Sequence, residues 1–197
     1  ETPKFGISLS GYVKTDMFYD TRQVVSIREG HFLIYPEGPK PDINGNDINS
    51  KDHFNILSIQ SRFTGRITGP DLLKAKTSAL LEADFFGNEN LNFSDVNGLR
   101  MRHAYVKLNW STTELLVGQY WHPLFVPECF PDVISFNTGA PFQPFSRNPQ
   151  IRLTQKVDNF RLIIAAATQR DFSSNGPDGS NPKYLSNAVL PDMNIHW

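Results

Sequence analysis

Apolar and polar residues alternate along most of the chain with a period of two, and a helical period is nearly absent. This pattern is typical of β-strands, because successive side chains of a strand point to opposite faces. It predicts eight strands, with approximate bounds 5–20, 54–68, 74–86, 99–110, 114–120, 150–157, 160–170 and 189–197. The expected fold class is therefore all-β with antiparallel strands, in a single domain over residues 1–197.

Each predicted strand has one apolar and one polar face. The apolar faces carry side chains such as Ile7, Leu57, Ile59 and Leu81. The polar faces carry many of the charged residues, namely Lys14, Asp16, Arg62, Arg66, Lys76, Glu82, Asp84, Arg152 and Lys156. The fourth strand is less regular, because Arg100 and Arg102 share the parity of the apolar Ala104. Either a bulge near His103 or a position of the arginines above a membrane would explain this.

The connections between the predicted strands alternate in length. Short turns are expected at 69–71, 111–112 and 158–159, and long loops at 21–53, 87–98, 121–149 and 171–188. A soluble sandwich has no reason to sort its loops by side, whereas outer-membrane barrels have short turns at one end and long loops at the other. The loop pattern therefore favours an antiparallel transmembrane β-barrel, in which the apolar faces contact lipid.

Composition and charge narrow the class further. Hydrophobic residues make up 39% of the chain and charged residues 20%, which argues against disorder. No stretch reaches the roughly 18 to 20 apolar residues of a membrane-spanning helix. The net charge of −1 gives no indication of a nucleic-acid partner. Cys129 is the single cysteine, so an internal disulfide is excluded.

The loop after the fifth strand bears on the size of the barrel. It is rich in Pro and Phe, and its candidate constriction residues are Trp121, Pro123, Phe142, Phe145 and Arg147. Eight strands could close a small barrel, but side chains fill the interior of such a barrel. A loop folded inward needs the wide lumen of about 16 strands. We therefore expect the chain to be half of a large barrel, truncated at its C-terminal end, with a complete small barrel as the alternative.

Four short segments carry a resemblance to a known family. They are Gly11–Asp16 in the first strand, Leu99–Leu108 in the fourth, Gly118–Trp121 at the start of the long loop and Arg147–Arg152 at its end. With these segments the chain resembles the bacterial general and specific porins, and among them the DcaP-like porins. The resemblance implies a homotrimer of 16-stranded barrels in the outer membrane of Gram-negative bacteria, surrounded by lipid and lipopolysaccharide. It also implies that the loop after the fifth strand folds inward as a constriction.

The charges on the polar face suggest how such a channel would select solutes. Arg62 and Arg66 lie four residues apart on one strand, and Arg152 and Lys156 repeat this spacing on another. Such basic ladders would guide anions such as carboxylates or phosphates. The alternative is that these cations pair with Glu82 and other carboxylates and only stabilise the wall. The expected function is a porin for passive diffusion and ion transport of small polar or anionic solutes.

Three other functions are alternatives to this one. A structural barrel that docks partner proteins has no distinguishing sequence feature, and a soluble ligand-binding β-sandwich would bury the apolar faces. A barrel enzyme is not expected, because no nucleophile elbow, glycine-rich phosphate loop or metal-spaced histidine pair occurs. No cofactor is expected either.

The segment Asp42–Asn49 partly matches a calcium loop, but a solvated Asn/Asp turn is the preferred interpretation.

Overall fold

A computed structural model describes residues 5–27, 32–87, 98–130, 146–170, 176–179, 181 and 183–197. Its strands are β1 (Gly6–Tyr12), β2 (Asp16–Asp20), β3 (Val24–Ile27), β4 (Phe32–Pro36), β5 (His53–Leu57), β6 (Arg62–Leu72), β7 (Ala75–Asp84), β8 (Arg100–Asn109), β9 (Thr113–Trp121), β10 (Arg147–Val157), β11 (Phe160–Ala167) and β12 (Asp192–His196). The helical elements are α1 (Lys183–Ser186) and two 3-10 turns, Ile48–Ser50 and Pro127–Cys129. None of the helices in the described ranges is long and apolar enough to span a bilayer.

Eight of the strands form one antiparallel sheet, in the order β1-β6-β7-β8-β9-β10-β11-β12. From β6 onward, strands that follow each other along the chain are also neighbours in the sheet. Two smaller pairs, β2 with β5 and β3 with β4, lie between β1 and β6 along the chain. The all-β, antiparallel fold class is thereby confirmed. Within the described residues β1 and β12 are the two edges of the sheet, which is not closed into a barrel.

The sheet has two chemically distinct faces. Its apolar face consists of large hydrophobic side chains that are exposed although they lie on paired strands: Ile7, Leu9, Phe63, Ile67, Leu81, Met101, Val106, Val117, Ile151, Leu153, Leu162, Ile164, Met193 and Ile195. Ile7 is 73% exposed and Leu81 is 48% exposed. The opposite, polar face carries the alternating residues of the same strands. A soluble sandwich would cover the apolar side chains with a second sheet, and no such sheet occurs in the described part of the chain.

The first two predicted strands are each interrupted. Residues 13–15 separate β1 from β2, and residues 58–61 separate β5 from β6. The alternation changes phase across the second break, so that Phe54 and Ile56 are exposed whereas Leu57 and Ile59 are only 9% and 1% exposed. The expectation that Leu57 and Ile59 share the apolar face was therefore wrong, because it assumed one continuous strand.

One predicted turn is displaced. The Gly69-Pro70-Asp71 segment lies within β6 and forms a bulge, since the register shifts between Gly69 and Leu72. The hairpin turn follows at Leu73 and Lys74, whose φ angles of 52° and 64° fit a tight two-residue turn. The expected short turns near 111–112 and 158–159 are present between β8 and β9 and between β10 and β11.

A bulge resolves the irregular fourth strand. Glu82 pairs with His103, and the next residue, Ala83, pairs with Met101, so that Arg102 is the extra residue of β8. The bulge brings Arg102 to the same side as Arg100 and His103, since Arg102 bonds to Glu82. Beyond the bulge, Val106 returns to the apolar face. The bulge near His103 is therefore confirmed as the explanation.

Candidate functional site

Two carboxylates and two arginines form a tight cluster on the polar face where β7 meets β8. Arg100 binds Asp84 through two hydrogen bonds, from Nε to Oδ1 at 3.0 Å and from Nη2 to Oδ2 at 2.7 Å. Arg102 bridges both acids, donating from Nε to Glu82 at 2.7 Å and from Nη1 to Asp84 at 3.0 Å. The Asp84 side chain is fully buried and that of Arg102 is 7% exposed. Ionised partners and short distances make these bonds strong.

Arg62 extends the cluster onto β6. Its Nε lies 3.7 Å from Oε1 of Glu82, and Thr64 donates a hydrogen bond of 3.1 Å to the other oxygen of the same carboxylate. The guanidinium also lies 5.3 Å from the ring centre of Tyr12 on β1. Three arginines thus share two carboxylates, Glu82 and Asp84, and the cluster keeps one positive charge in excess.

The other predicted charges on this face are placed apart from the cluster. Lys14 binds Asp16 at 2.7 Å and also contacts Gln60. Lys76 binds Asp71 at 2.7 Å near the hairpin turn, where both side chains are exposed. Arg66 is exposed and donates to Ser10 at 2.9 Å, and Lys156 is exposed near the turn between β10 and β11. Among the described residues, the predicted pairing of the ladders with acids holds for Arg62 alone, because Asp16 binds Lys14 and Asp84 binds Arg100 and Arg102.

A group of aromatic rings adjoins the cluster on β8 and β9. The rings of Tyr105 and Tyr120 are 5.1 Å apart, and His103 lies 5.4 Å from Tyr120 and 5.0 Å from Trp121. Arg152 stacks over the Tyr120 ring at 4.9 Å. Its Nη2 donates to the backbone carbonyl of Trp121, and its Nε donates to Oε1 of Gln150 at 2.9 Å. Arg152 is 7% exposed. These partners are all neutral, so the positive charge of Arg152 is stabilised by the face of the Tyr120 ring and by the Trp121 and Gln150 oxygens.

The segment 122–130, here called the strap, leaves β9 and lies against the polar face of β10–β12. Its carbonyl at Pro123 is 2.8 Å from Nδ1 of His196 on β12, and Glu128 binds Arg161 on β11 at 2.6 Å. The hydrogen bond from Arg161 lowers the pKa of Glu128. Phe125 is buried, with its ring 4.4 Å from that of Trp121. These contacts fix both the base and the far end of the strap.

The candidate constriction residues are only partly described. Trp121 and Pro123 lie at the base of the strap, and Pro123 is buried. Arg147 opens β10, is 6% exposed and stacks over the Trp121 ring at 5.0 Å, so it is not a solvated loop arginine. Phe142 and Phe145 lie outside the described residues.

The Asn/Asp-rich segment of the first long loop is a hydrogen-bonded turn. Oδ1 of Asp42 accepts bonds from the amides of Asn44 and Asn46 at 2.8 and 2.9 Å, and Gly45 has a φ of 83°. The hydrogen bond from the backbone amide of Asn46 is the main reason why the pKa of Asp42 is lowered. Asp47 accepts bonds from two further amides and binds Arg22 at 2.8 Å. The carboxylates thus serve the turn itself, in line with the preferred interpretation.

The sequence reasoning missed several residues of the polar face. The parity of Arg100 and Arg102 indicates a bulge, but it gives no sign of their ion pairs with Asp84 and Glu82. His103 and Arg161 carry no such signal, because their contacts depend on how strands and strap meet in space. The same holds for Glu128, which lies in a loop and finds its partner 33 residues away.

An antiparallel sheet with an exposed apolar face and a charged opposite face has the architecture of an outer-membrane β-barrel wall. Among solved structures, the chain matches the crystal structure of the outer membrane channel DcaP of Acinetobacter baumannii. The match has a TM-score of 0.67 and 22% sequence identity, and covers 97% of this chain and 47% of that chain. The DcaP-like fold expected from the sequence is thereby confirmed, and the chain spans about half the length of the structure it matches. No model of a known protein family matches the sequence, and no curated protein does.

Proposed function

We propose that this chain forms part of the wall of a water-filled porin channel in the outer membrane, through which small polar or anionic solutes diffuse passively. The observation that carries the proposal is the exposed apolar face of the sheet, opposite a face that holds buried and half-buried charges. Burying such a face in lipid removes its side chains from water. The likeness to a solved outer-membrane channel supports the same conclusion. No enzymatic step is part of this proposal.

Strand length supports placement in a membrane. Strands β6, β7, β8 and β10 contain 10 or 11 residues each. At about 3.3 Å per residue and a tilt of about 40°, such strands span about 25 Å, the height of the apolar band of outer-membrane barrels. The turns β6–β7, β8–β9 and β10–β11 would face the periplasm, and the long connections the outside.

The free edges of the sheet support a larger barrel. Backbone groups in the hydrocarbon region need hydrogen-bond partners within the protein, so an open sheet edge is not stable there. Among the described strands, β1 and β12 each have a partner on one side only. We propose that further strands close the sheet into a barrel of about 16 strands, wide enough to admit the strap as a constriction.

The unneutralised cations of the polar face suggest a preference for anions. Arg62 shares Glu82 with Arg102, so the cluster contributes one positive charge in excess. Arg66 and Lys156 are exposed, and the part of the chain that the structure describes gives neither of them a carboxylate partner. Arg152 is held by neutral groups. These three cations would attract anions into a lumen that focuses their field.

Planar-bilayer recordings on the complete gene product test the proposal. We expect stepwise single-channel conductance, and a reversal potential in a salt gradient that indicates anion preference. Arg66→Gln should shift the reversal potential towards cation preference, whereas Lys74→Gln, which removes a charge in the exposed hairpin turn, should shift it less. A correctly folded preparation without conductance would refute the channel, and equal shifts for both variants would refute the role of Arg66.

The strap can be tested separately through Cys129, which is exposed and is the single cysteine of the chain. If the strap narrows the pore, a negatively charged thiol reagent at Cys129 should lower the conductance and reduce the preference for anions. Cys129→Ser should abolish both effects. Complete labelling, verified by mass, without a change in current would contradict the position of the strap in the pore.

The assembly and surroundings remain predictions. A homotrimer embedded in lipid and lipopolysaccharide is what the resemblance implies. The mass of the complete gene product in detergent, measured by light scattering with the detergent subtracted, tests it. Three protein copies per particle would support the trimer. One copy per particle, in a preparation that conducts after reconstitution in a bilayer, would contradict it.

A further inference from the structure

His122 is the first residue of the strap, and its hydrogen bonds set the direction in which the strap leaves β9. Its backbone amide donates to the carbonyl of Ser146 at 2.8 Å, which ties the base of the strap to the residue before β10. Its carbonyl accepts from the amide of Phe125 at 2.9 Å, and Nδ1 of its imidazole accepts from the amide of Leu124 at 3.2 Å. The imidazole thus closes the tight turn at the base of the strap.

The bond to Leu124 determines the protonation state of the His122 ring. A backbone amide can only donate a hydrogen bond, so Nδ1 has to accept and carries no proton. While the turn is closed, the ring is therefore neutral and its proton lies on Nε2. A protonated imidazole has a donor on both nitrogens, so the Leu124 amide would face a second donor at 3.2 Å. Protonation of the ring therefore breaks this bond.

The surroundings of the ring also favour its neutral form. Burial lowers the pKa of His122, and the charge of Arg152 on β10 lowers it further, whereas Asp192 on β12 acts in the opposite direction. A group whose pKa is lowered in one state favours the other state once it is protonated. Acid therefore shifts the strap towards an open arrangement, in which the ring lies in water.

The other charged and titratable groups that face the strap do not oppose this shift. His196 on β12 donates from Nδ1 to the Pro123 carbonyl at 2.8 Å, and it keeps this donor when it is protonated. Glu128 at the far end binds Arg161 on β11, and this hydrogen bond lowers the pKa of Glu128, so the ion pair persists in mild acid. Arg147 at the start of β10 keeps its charge at any of these pH values.

We propose that His122 is an acid-sensitive hinge: protonation of its imidazole removes the acceptor of the Leu124 amide, and the strap then lifts from the polar face more often. The hinge is a property of the strap and stands without a channel. Only its effect on a current rests on the proposed function.

Thiol labelling beneath the strap measures how often it lifts. Ala165 on β11 is paired with Arg152, lies on the polar face between the two anchors of the strap and is 0% exposed. In the complete gene product with Cys129→Ser and Ala165→Cys, a thiol reagent reaches position 165 only while the strap is lifted. Mass spectrometry of the labelled peptide gives the rate. Because the thiolate fraction changes with pH, each rate is divided by the rate at the exposed Cys129 of the wild type.

We expect this normalised rate to rise about fivefold between about pH 7.5 and about pH 5, the effect of losing one ordinary hydrogen bond. The rise should begin near about pH 6.5, where a histidine in water takes up its proton. A normalised rate that stays constant over this range overturns the proposal.

Three variants separate the imidazole from the other groups, with folding verified by heat-modifiable migration on gels. His122→Asn keeps an acceptor at every pH, because an asparagine side chain accepts from the amide two residues further on, so its rate should be low and constant. His122→Ala has no acceptor, so its rate should be constant and as high as that of the wild type in acid. His196→Asn leaves the hinge in place and should keep the pH dependence. A dependence that survives in His122→Ala, or disappears in His196→Asn, would assign it to another group and overturn the hinge.

Conductance separates the hinge from the proposed channel. If the strap narrows the lumen, the mean conductance of the wild type should be larger in mild acid than at neutral pH, and that of His122→Asn should be the same at both. A folded preparation that follows the labelling pattern without conducting refutes the channel and supports the hinge. A conducting preparation with a constant labelling rate supports the channel and refutes the hinge.

Discussion

The Asp84→Asn substitution tests whether the charge cluster of the polar face stabilises the wall. Asp84 is fully buried and accepts three hydrogen bonds from Arg100 and Arg102, at 2.7 to 3.0 Å. Asparagine keeps the shape, but it removes the charge and leaves Glu82 to balance three arginines. Breaking a buried ion pair by removing one partner costs about 3–5 kcal/mol, because the remaining charge stays buried. We expect the free energy of unfolding to fall by about this amount.

A second ion pair of the same sheet provides the control. Asp71 binds Lys76 at 2.7 Å, as short as the shortest bond of Asp84, but the two side chains are 51% and 80% exposed. An exposed pair contributes up to about 1 kcal/mol, so Asp71→Asn should cost far less than Asp84→Asn. Urea unfolding in lipid vesicles, followed by tryptophan fluorescence, measures both. Equal losses for the two variants would refute the argument that burial decides the value of the pair.

A double variant separates the lost bonds from the stranded charge. Arg102 is 7% exposed and contacts both acids, so in Asp84→Asn it keeps only Glu82 as a partner. Replacing it as well, in Asp84→Asn with Arg102→Met, removes a buried cation together with its desolvation cost. We expect the double variant to be more stable than the sum of the two single losses predicts. Strict additivity would mean that the cluster does not act as a unit.

Three further predictions address the backbone, the first loop and the apolar face. Gly118→Ala should destabilise the protein severely, since Gly118 has a φ of 131° and a Cβ there would lie 2.2 Å from the Ala104 carbonyl oxygen. The turn at Asp42, whose pKa is lowered from 3.8, should resist proteolysis at neutral pH and open only below about pH 4, as the carboxyl protonates. Leu81→Arg should cost about 2–4 kcal/mol in lipid vesicles if Leu81 contacts the bilayer midplane.

Matched controls accompany each of these predictions. Gly65→Ala should be mild, because the nearest atom to a Cβ there is 3.7 Å away. Asp42→Asn should weaken the pH dependence of the opening between pH 5 and 2.5, and Asp42→Asn with Asp47→Asn should remove it, because Asp47 holds the same turn. A transition that persists in the double variant would assign it to another group. Ser78→Arg places the same charge on the polar face of the same strand and should cost less than Leu81→Arg. A reversed order would contradict the lipid-facing assignment.

Much of the fold follows from alternation alone. Every strand of the sheet contacts different environments on its two faces, so a period of two is imposed on the sequence wherever pairing is regular. This is why β7, β10 and β11 were predicted close to their observed bounds. The polar face follows from the same parity, which correctly grouped Glu82 with Asp84.

Strand breaks and bulges could not be predicted from the alternation of apolar and polar residues. A strand break such as residues 58–61 shifts the phase of alternation, and the apolar Leu57 and Ile59 gave no sign of the shift. Glycine and proline occur at bulges as well as at turns. The segment around Pro70, which was predicted as a turn, is a bulge within β6. The partners of Glu82 and Asp84 depend on the Arg102 bulge, so the cluster was missed although both acids were identified.

The residues of strand β11 on the polar face bear on both the position of the strap and the size of the proposed lumen. On the polar face β11 presents Ile163, Ala165 and Ala167, which are 8%, 0% and 3% exposed. Exposing these apolar side chains to the water of a lumen would be unfavourable. The strap is anchored on either side of them, through Arg161 on β11 and His196 on β12. A closed eight-stranded barrel fills its interior with the side chains of its own wall. The strap and the arginines of the polar face would therefore both fit within the wider lumen that we propose.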